Sequence, residues 1–272
     1  MSKWKQLPVA LTIAGSDSGG GAGIQADLKT FAALGVHGAS AVACLTAQNP
    51  KCVLAIEPCS PAMLRRQIEA VFEELKPAAV KTGMLFSAEN VSVVVNFFKN
   101  GKCPLVVDPL MISTSGAKLL ERAAAKILTW KLLPLAVLVT PNLPEAEILS
   151  GEKIPSVEAM RAAAKKILTR FGCAVLVKGG HLKNALEATD VFYDGEIELL
   201  LSAPFIKGVR THGTGCTYSA AICAALALGH ALPQAAAIGK NFITAVIVNS
   251  YRIEKHFALG QFSPARAKIR RL

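Results

Sequence analysis

Val9-Ala-Leu-Thr-Ile-Ala14 runs without a break into Gly15-Ser-Asp-Ser-Gly-Gly-Gly-Ala-Gly23, and an amphipathic stretch, Gly23–Leu34, follows. A short apolar run, a glycine-dense loop and a helical period predict a buried strand, a tight turn and a covering helix. The alternation repeats along the chain. Strands are predicted at Val9–Ala14, Ala39–Leu45, Val53–Ile56, Ala79–Thr82, Leu105–Asp108, Val137–Thr140, Ala174–Lys178, Ala188–Tyr193 and Ile197–Leu201. Helices are predicted at Gly23–Leu34, Pro61–Leu75, Ala88–Phe98, Leu119–Trp130, Pro144–Leu149, Val157–Phe171, Thr214–Leu228 and Gln234–Tyr251. Such spacing implies β-α-β units: an α/β fold with a mostly parallel central sheet and helices on both faces. Asp194-Gly195 between two short strands predicts a small antiparallel hairpin. There is no internal repeat and no Pro/Ser-rich linker. Residues 1–272 read as one domain, with a core at about 9–251 and a basic tail at 252–272.

The chain has 272 residues, 52% apolar and 18% charged, which suits one α/β domain with a sizeable core. A chain this long buries roughly three-quarters of its unfolded surface and needs no disulfide or metal staple. The apolar content excludes intrinsic disorder. The longest aliphatic stretches, Leu132–Val139 and Ala220–Leu228, fall short of the ~18 residues of a membrane-spanning helix. Of the net charge of +11, Lys3 and Lys5 and the segment from Arg252 onward carry +7. With aromatics at 6% and the basic excess at the termini, no nucleic-acid interface is expected. The mildly positive body suits anionic substrates. Seven cysteines without C-x-x-C spacing point to reduced thiols in a cytoplasmic protein. The apolar run Val9–Gly15 ends too early for a signal peptide, so none is expected.

Ligands of open α/β sheets gather beyond the carboxyl ends of the strands, and there the unusual residues fall. Thr211-His-Gly-Thr-Gly-Cys216 precedes an alanine-rich helix. Two glycines before a helix let N–H groups converge, and the helix start adds partial positive charge. Gly213, Thr214, Gly215 and Cys216 thus read as an anion hole for a transferring phosphoryl group. Cys216 at a helix start is expected to titrate nearer neutrality than a free thiol. The alternative is a glycine turn capping a core helix, with Cys216 as filler. The loop Gly15–Gly23 fits neither G-x-x-x-x-G-K-[ST] nor G-x-G-x-x-G with a later acidic residue, which argues against a Walker-type NTPase. It either admits a flat ligand, with Asp27 one turn into the helix, or is an ordinary turn. Asn142 and Glu145 suit a hydrated Mg²⁺ beside phosphates, and they equally suit a helix N-cap with an acidic first turn. Asp108 faces the metal or caps a turn. Lys178, opening Lys178-Gly-Gly-His181, meets polyphosphate or merely snorkels. Gln48 offers a donor and an acceptor to a heterocycle, or is a polar loop residue. Neither a Ser-His-Asp order nor H-E-x-x-H is present, so hydrolase machinery is missing.

In this order the segments resemble the ribokinase-like superfamily and, within it, the bifunctional hydroxymethylpyrimidine/phosphomethylpyrimidine kinases of thiamine biosynthesis. They are Leu11-Thr-Ile-Ala-Gly-Ser-Asp17, Gly20-Gly-Ala-Gly-Ile-Gln-Ala-Asp-Leu-Lys-Thr-Phe31, Ala47-Gln-Asn49, Gly83-Met-Leu85, Asp108-Pro109, Thr140-Pro-Asn-Leu-Pro-Glu-Ala146, Lys178-Gly-Gly-His181 and Thr211-His-Gly-Thr-Gly-Cys-Thr217. The resemblance implies a single ribokinase-like domain using ATP and Mg²⁺. It would phosphorylate 4-amino-5-hydroxymethyl-2-methylpyrimidine and then the monophosphate, giving the pyrophosphate. It further implies that Ala22, Asp27, Gln48 and Met84 line the pyrimidine pocket and that Lys178, Thr211 and Gly213 serve the nucleotide. Asp108, Asn142 and Glu145 would face metal and phosphate, and Cys216 would be the base. Expected partners are small molecules and a second copy in a homodimer, with no nucleic acid and no membrane. Two departures stand out. Ser18-Gly19 replaces a common Pro-Ser, predicting a more mobile first loop, and Ser113-Thr114 replaces a common Ala-Lys. The tail from Arg252 is expected to be dispensable. Rival readings are a pyridoxal kinase on the same scaffold and a non-catalytic vitamin-binding protein.

Overall fold

The computed structural model describes residues 6–101, 103–111, 121–180, 182, 187–206 and 212–261. In chain order the elements are β1 (Val9–Ala14), α1 (Gly23–Ala33), β2 (His37–Val42), β3 (Cys44–Gln48), β4 (Val53–Pro58), α2 (Pro61–Glu74), β5 (Ala79–Thr82), α3 (Ala88–Phe98), β6 (Leu105–Val107) and α4 (Arg122–Ile127). They continue with β7 (Leu138–Val139), α5 (Leu143–Ser150), α6 (Val157–Phe171), β8 (Ala174–Val177), β9 (Glu187–Tyr193), β10 (Glu198–Pro204), α7 (Thr214–Ala227), α8 (Leu232–Val248), β11 (Tyr251–Ile253) and β12 (His256–Ala258).

Eight strands form the central sheet in the order β10-β9-β8-β7-β6-β5-β1-β2. Pairing is parallel from β2 through β8, and β9 and β10 add an antiparallel edge around the expected Asp194-Gly195 turn. Strand periodicity sorts the core between two faces. Leu11, Ile13, Leu105, Val107, Val139 and Val175 pack with α2 to α6. Ala10, Val106, Leu138, Leu176 and Phe192 pack with α1, α7 and α8. The sheet is covered on both faces, which is why its strands read as nearly continuous apolar runs. Ser60, Ser87 and Ser156 start α2, α3 and α6 by accepting the N–H of Met63, Asn90 and Ala159.

Three expectations need correction. The run Ala39–Leu45 is two strands, because the chain turns at Ala43, whose N–H donates to the Ala14 carbonyl. Beyond that point β3 leaves the main sheet and pairs antiparallel with β4. Second, of Leu119–Trp130, residues 119 and 120 lie outside the described residues, the described helix is Arg122–Ile127, and beyond it the chain widens into a π turn, Leu128–Leu132. Third, the chain past Arg252 is not all tail. β11 and β12 form a hairpin, and the buried Gln261 Nε2 donates to the Ala26 carbonyl, Thr30 Oγ1 and Thr217 Oγ1. Folded chain therefore extends at least to Gln261.

Chain order fixes where a site belongs. From β1 the chain goes first to β2 on one side and later to β5 on the other, so the strand order reverses between β1 and β5. A crevice opens at such a reversal, beyond the carboxyl ends of the strands.

Candidate active site

At that reversal the Gly15 N–H donates to the Met84 carbonyl at 2.9 Å, joining the loops after β1 and β5. The start of α7 comes up beside them. Gly213 adopts φ +82°, and a Cβ there would collide with the Gly21 carbonyl, so only glycine fits this approach. No side chain caps α7. The N–H groups of its first turn therefore remain available to an anion.

Gly215 lies over the charged part of the site. A Cβ on it would stand 3.3 Å from Lys178 Nζ and 3.6 Å from Asp108 Oδ2. Lys178 Nζ donates to Asp108 Oδ1 at 3.0 Å, and Ser219 Oγ holds Oδ2 at 3.3 Å. Lys178 is placed by an isolated parallel bridge to Asn142, and its N–H donates to the Pro141 carbonyl. Glu145, fully buried, accepts from the Met111 and Asn142 N–H groups. Burial first, opposed by Lys178 and aided by the like charge of Asp108, pushes the Glu145 carboxyl up to about 7. Lys178 itself is raised: burial lowers it, but Asp108 and Glu145 outweigh burial.

Asn142 and Glu145 form a capping box at the start of α5, with Asn142 Oδ1 accepting the Glu145 N–H at 3.0 Å. The N-cap alternative is thus what the residues do locally, and Asn142 acts on the site by fixing Glu145. Among the described residues no three His, Cys, Asp or Glu side chains converge as a metal cage. Asp108 and Glu145 nevertheless suit a Mg²⁺ held jointly with phosphate oxygens, because two buried carboxylates share one lysine.

Cys216 packs with Ala22 and Ala26 and is 6% exposed. Its expected near-neutral titration is corrected. Burial drives the thiol up to about 11; Lys81 pulls it down, Asp27 and Asp108 push it up, and the Gly23 N–H favours the thiolate. The helix start does not outweigh desolvation. Asp27 is corrected too. It has no exposure, and both its oxygens meet Lys81 Nζ, at 2.9 and 2.7 Å, while Thr12 Oγ1 donates at 2.6 Å. A carboxylate sealed this way supports the floor of the site and does not line a pocket. Burial raises the Asp27 carboxyl against the pull of Lys81, which is itself held protonated.

Ala22 and Met84 stand at the reversal, and Gln48 lies at the rim, where its Nε2 is 2.8 Å from His212 Nε2. Ser18 does not loosen the first loop: its Oγ accepts the Gln48 N–H at 2.8 Å and donates to the Gln48 carbonyl at 2.7 Å, bonds no proline makes. Thr211, His181, Ser113 and Thr114 lie outside the described residues. The sequence reading missed Lys81. Its signal was a lone lysine inside the apolar strand Ala79–Thr82, which must find a buried partner.

A mostly parallel sheet with an uncapped helix start at its reversal is the fold of the ribokinase-like kinases, as the solved structures it superposes on show. The comparisons narrow that class. The profile of the phosphomethylpyrimidine kinase family matches residues 17–260, so the chain belongs to that family. A hydroxymethylpyrimidine/phosphomethylpyrimidine kinase of Rhizobium meliloti is 48% identical over 90% of this chain and 92% of its own. The crystal structure of a phosphomethylpyrimidine kinase from Clostridium difficile superposes with a TM-score of 0.78 at 44% identity, covering 88% of this chain and 99% of that one. An ADP complex of Bacillus subtilis pyridoxal kinase superposes with a TM-score of 0.85 at 36% identity, covering 94% and 98%. Among the described residues no helix is long and apolar enough to cross a membrane.

Proposed function

We propose that this chain transfers the γ-phosphoryl group of ATP to 4-amino-5-hydroxymethyl-2-methylpyrimidine and then to the monophosphate, in thiamine biosynthesis. The observation that carries the reading is the convergence of the uncapped α7 start, Lys178 and Asp108 beside the Cys216 thiol. The relatives named for both phosphorylations support it, and the ADP complex of a structural neighbour supports the nucleotide.

In this reading the N–H groups of Gly213 to Cys216 hold the phosphoryl oxygens, and Lys178 adds charge where it develops. Mg²⁺ would be held by Asp108 and Glu145 together with phosphate, and when bound it neutralises charge on the phosphates. Thr211 belongs to the nucleotide side. Ala22, Gln48 and Met84 contact the pyrimidine. Cys216 is a thiol at rest and acts as the base in its thiolate form: its own proton first passes to water, and the sulfur then takes the alcohol's proton as the oxygen bonds to phosphorus. Asp27 and Lys81 hold fixed charge beneath the sulfur. A homodimer is part of the proposal, supported by the exposed Leu45 and Leu54 of the β3–β4 sheet; light scattering at micromolar concentration reads it. Residence in the cytoplasm is proposed on the buried Cys44, Cys173, Cys216 and Cys223, which form no disulfide.

The similarity to pyridoxal kinases gives a second reading specific support. A side-by-side comparison of kcat/KM for the pyrimidine alcohol and pyridoxal, with ATP saturating, separates the two. The proposal expects the pyrimidine to be preferred at least about tenfold, the discrimination available to a site that pairs a donor and an acceptor. Preference for pyridoxal would overturn it.

A further inference from the structure

His212 stands between the two ends of the site and has no part in the chemistry above. Its Nε2 lies 2.8 Å from Gln48 Nε2 and 3.3 Å from Asp17 Oδ2. One ring nitrogen cannot accept from an amide N–H and donate to a carboxylate at once. The neighbours decide which role it takes. Thr46 Oγ1 gives its single proton to the Ser16 carbonyl at 2.8 Å, so toward the Gln48 carboxamide, 3.3 Å away, it can only accept. A half turn of that carboxamide leaves every heavy atom in place and satisfies the whole group. Its N–H then donates to Thr46 Oγ1, and its oxygen receives the His212 Nε2–H, which also faces Asp17 Oδ2.

The surroundings hold this arrangement. Asp17 is 2% exposed and already takes the N–H groups of Gly19, Gly21 and Ala22. Burial raises the Asp17 carboxyl, but the His212 contact and these amides bring it below its ordinary value. Ser18 clamps the Gln48 backbone from both sides. What stays free to turn is the carboxamide, and the imidazole faces it.

We propose that His212 is a positioning residue: through its Nε2–H it sets the direction of the Gln48 carboxamide, and so which donor–acceptor edge of a heterocycle the site reads. The proposal rests on Gln48 contacting the substrate, as argued above. His212 also immediately precedes Gly213, so the group that orients the substrate amide is continuous with the phosphate-binding turn.

Steady-state kinetics on the full chain test it with His212→Phe, His212→Gln, Gln48→Leu and the double variant His212→Phe/Gln48→Leu. The pyrimidine alcohol is varied at saturating ATP, then replaced by its 4-oxo analogue, which exchanges the amino donor for an acceptor. His212→Phe should raise KM for the amino substrate about tenfold, the effect of one lost oriented hydrogen bond, and narrow the preference over the 4-oxo analogue. KM for ATP should stay within about twofold, too small a change for a lost hydrogen bond. His212→Gln keeps a donor at similar reach and should recover most of the loss. In the Gln48→Leu background His212→Phe should add nothing. Should His212→Phe not fold, His212→Asn, whose shorter amide stops short of Gln48, takes its place. The proposal is overturned if Gln48→Leu raises KM while His212→Phe does not, or if the two effects add in full. If Gln48→Leu leaves KM unchanged, the substrate contact of Gln48 fails first, and the proposal fails with it.

Discussion

Lys81 and Lys178 each leave the parallel sheet to meet a buried aspartate, but only Lys178 meets water. The Lys81–Asp27 pair has 0% side-chain exposure on both partners and two short bonds from one ammonium. The Lys178–Asp108 pair makes one bond at 3.0 Å, and the lysine side chain is 14% exposed beside Gly215. Both are ion pairs of the same chemistry. Lys81 gives both its bonds to one carboxylate sealed inside the fold, whereas Lys178 makes one such bond beside Gly215 at the start of α7. Burying a paired charge adds little net stability, so on the proposed function the sealed pair serves geometry and the open one serves chemistry.

The comparison breaks most readily at Lys81. Lys81→Met leaves the Asp27 charge buried without its partner and should cost about 3–5 kcal/mol of unfolding free energy. Urea titration followed by circular dichroism reads this. The double variant Lys81→Met/Asp27→Leu should regain most of the loss, since no lone charge then remains. A single-variant loss below about 1 kcal/mol, the range of a solvent-exposed pair, would mean the pair is not sealed.

Lys178→Ala should act in the opposite sense. It should lower kcat about 10²–10³-fold, as removal of one preorganised donor does. Its stability cost should stay well below that of Lys81→Met, because water reaches Asp108 once the side chain is gone. A large stability loss with unchanged kcat would reverse the two roles. The smallest expected effect lies at the end of the described chain. Gln261→Ala should cost about 1–3 kcal/mol, because it takes the amide donor away from two buried hydroxyls, Thr30 Oγ1 and Thr217 Oγ1. Thermal melting reads this one, and no change in melting temperature would return the segment after Arg252 to a dispensable tail.

Most of the sheet was legible because its parallel strands are apolar on both faces and punctuated by glycine, proline or an acid. β1, β5, α3 and α6 have the bounds the sequence predicts. The β2–β3 break was not legible. Ala39–Leu45 is apolar apart from Ser40, and what splits it is a tertiary hydrogen bond from Ala43 to Ala14, invisible in local periodicity. The glycine turn before α7 announced itself because G-T-G-C before an alanine-rich helix is a local geometry written in local residues. Asp27 misled because a carboxylate one turn into a helix looks the same whether it faces a ligand or a lysine 54 positions later. His212 carried no signal beyond adjacency to Gly213. Its partners Asp17 and Gln48 come from the loop after β1 and the end of β3, and only the fold brings them together.

The account turns on Cys216 as the group that accepts the substrate proton once its own thiol proton has passed to water. The direct measurement is kcat of Cys216→Ala with both substrates saturating, beside a melting curve to establish folding. The account predicts a fall of about 10²–10⁴-fold, the usual contribution of a positioned base, with KM for ATP little changed. A kcat within about threefold of the parent protein would be too small a loss for a general base and would contradict the account.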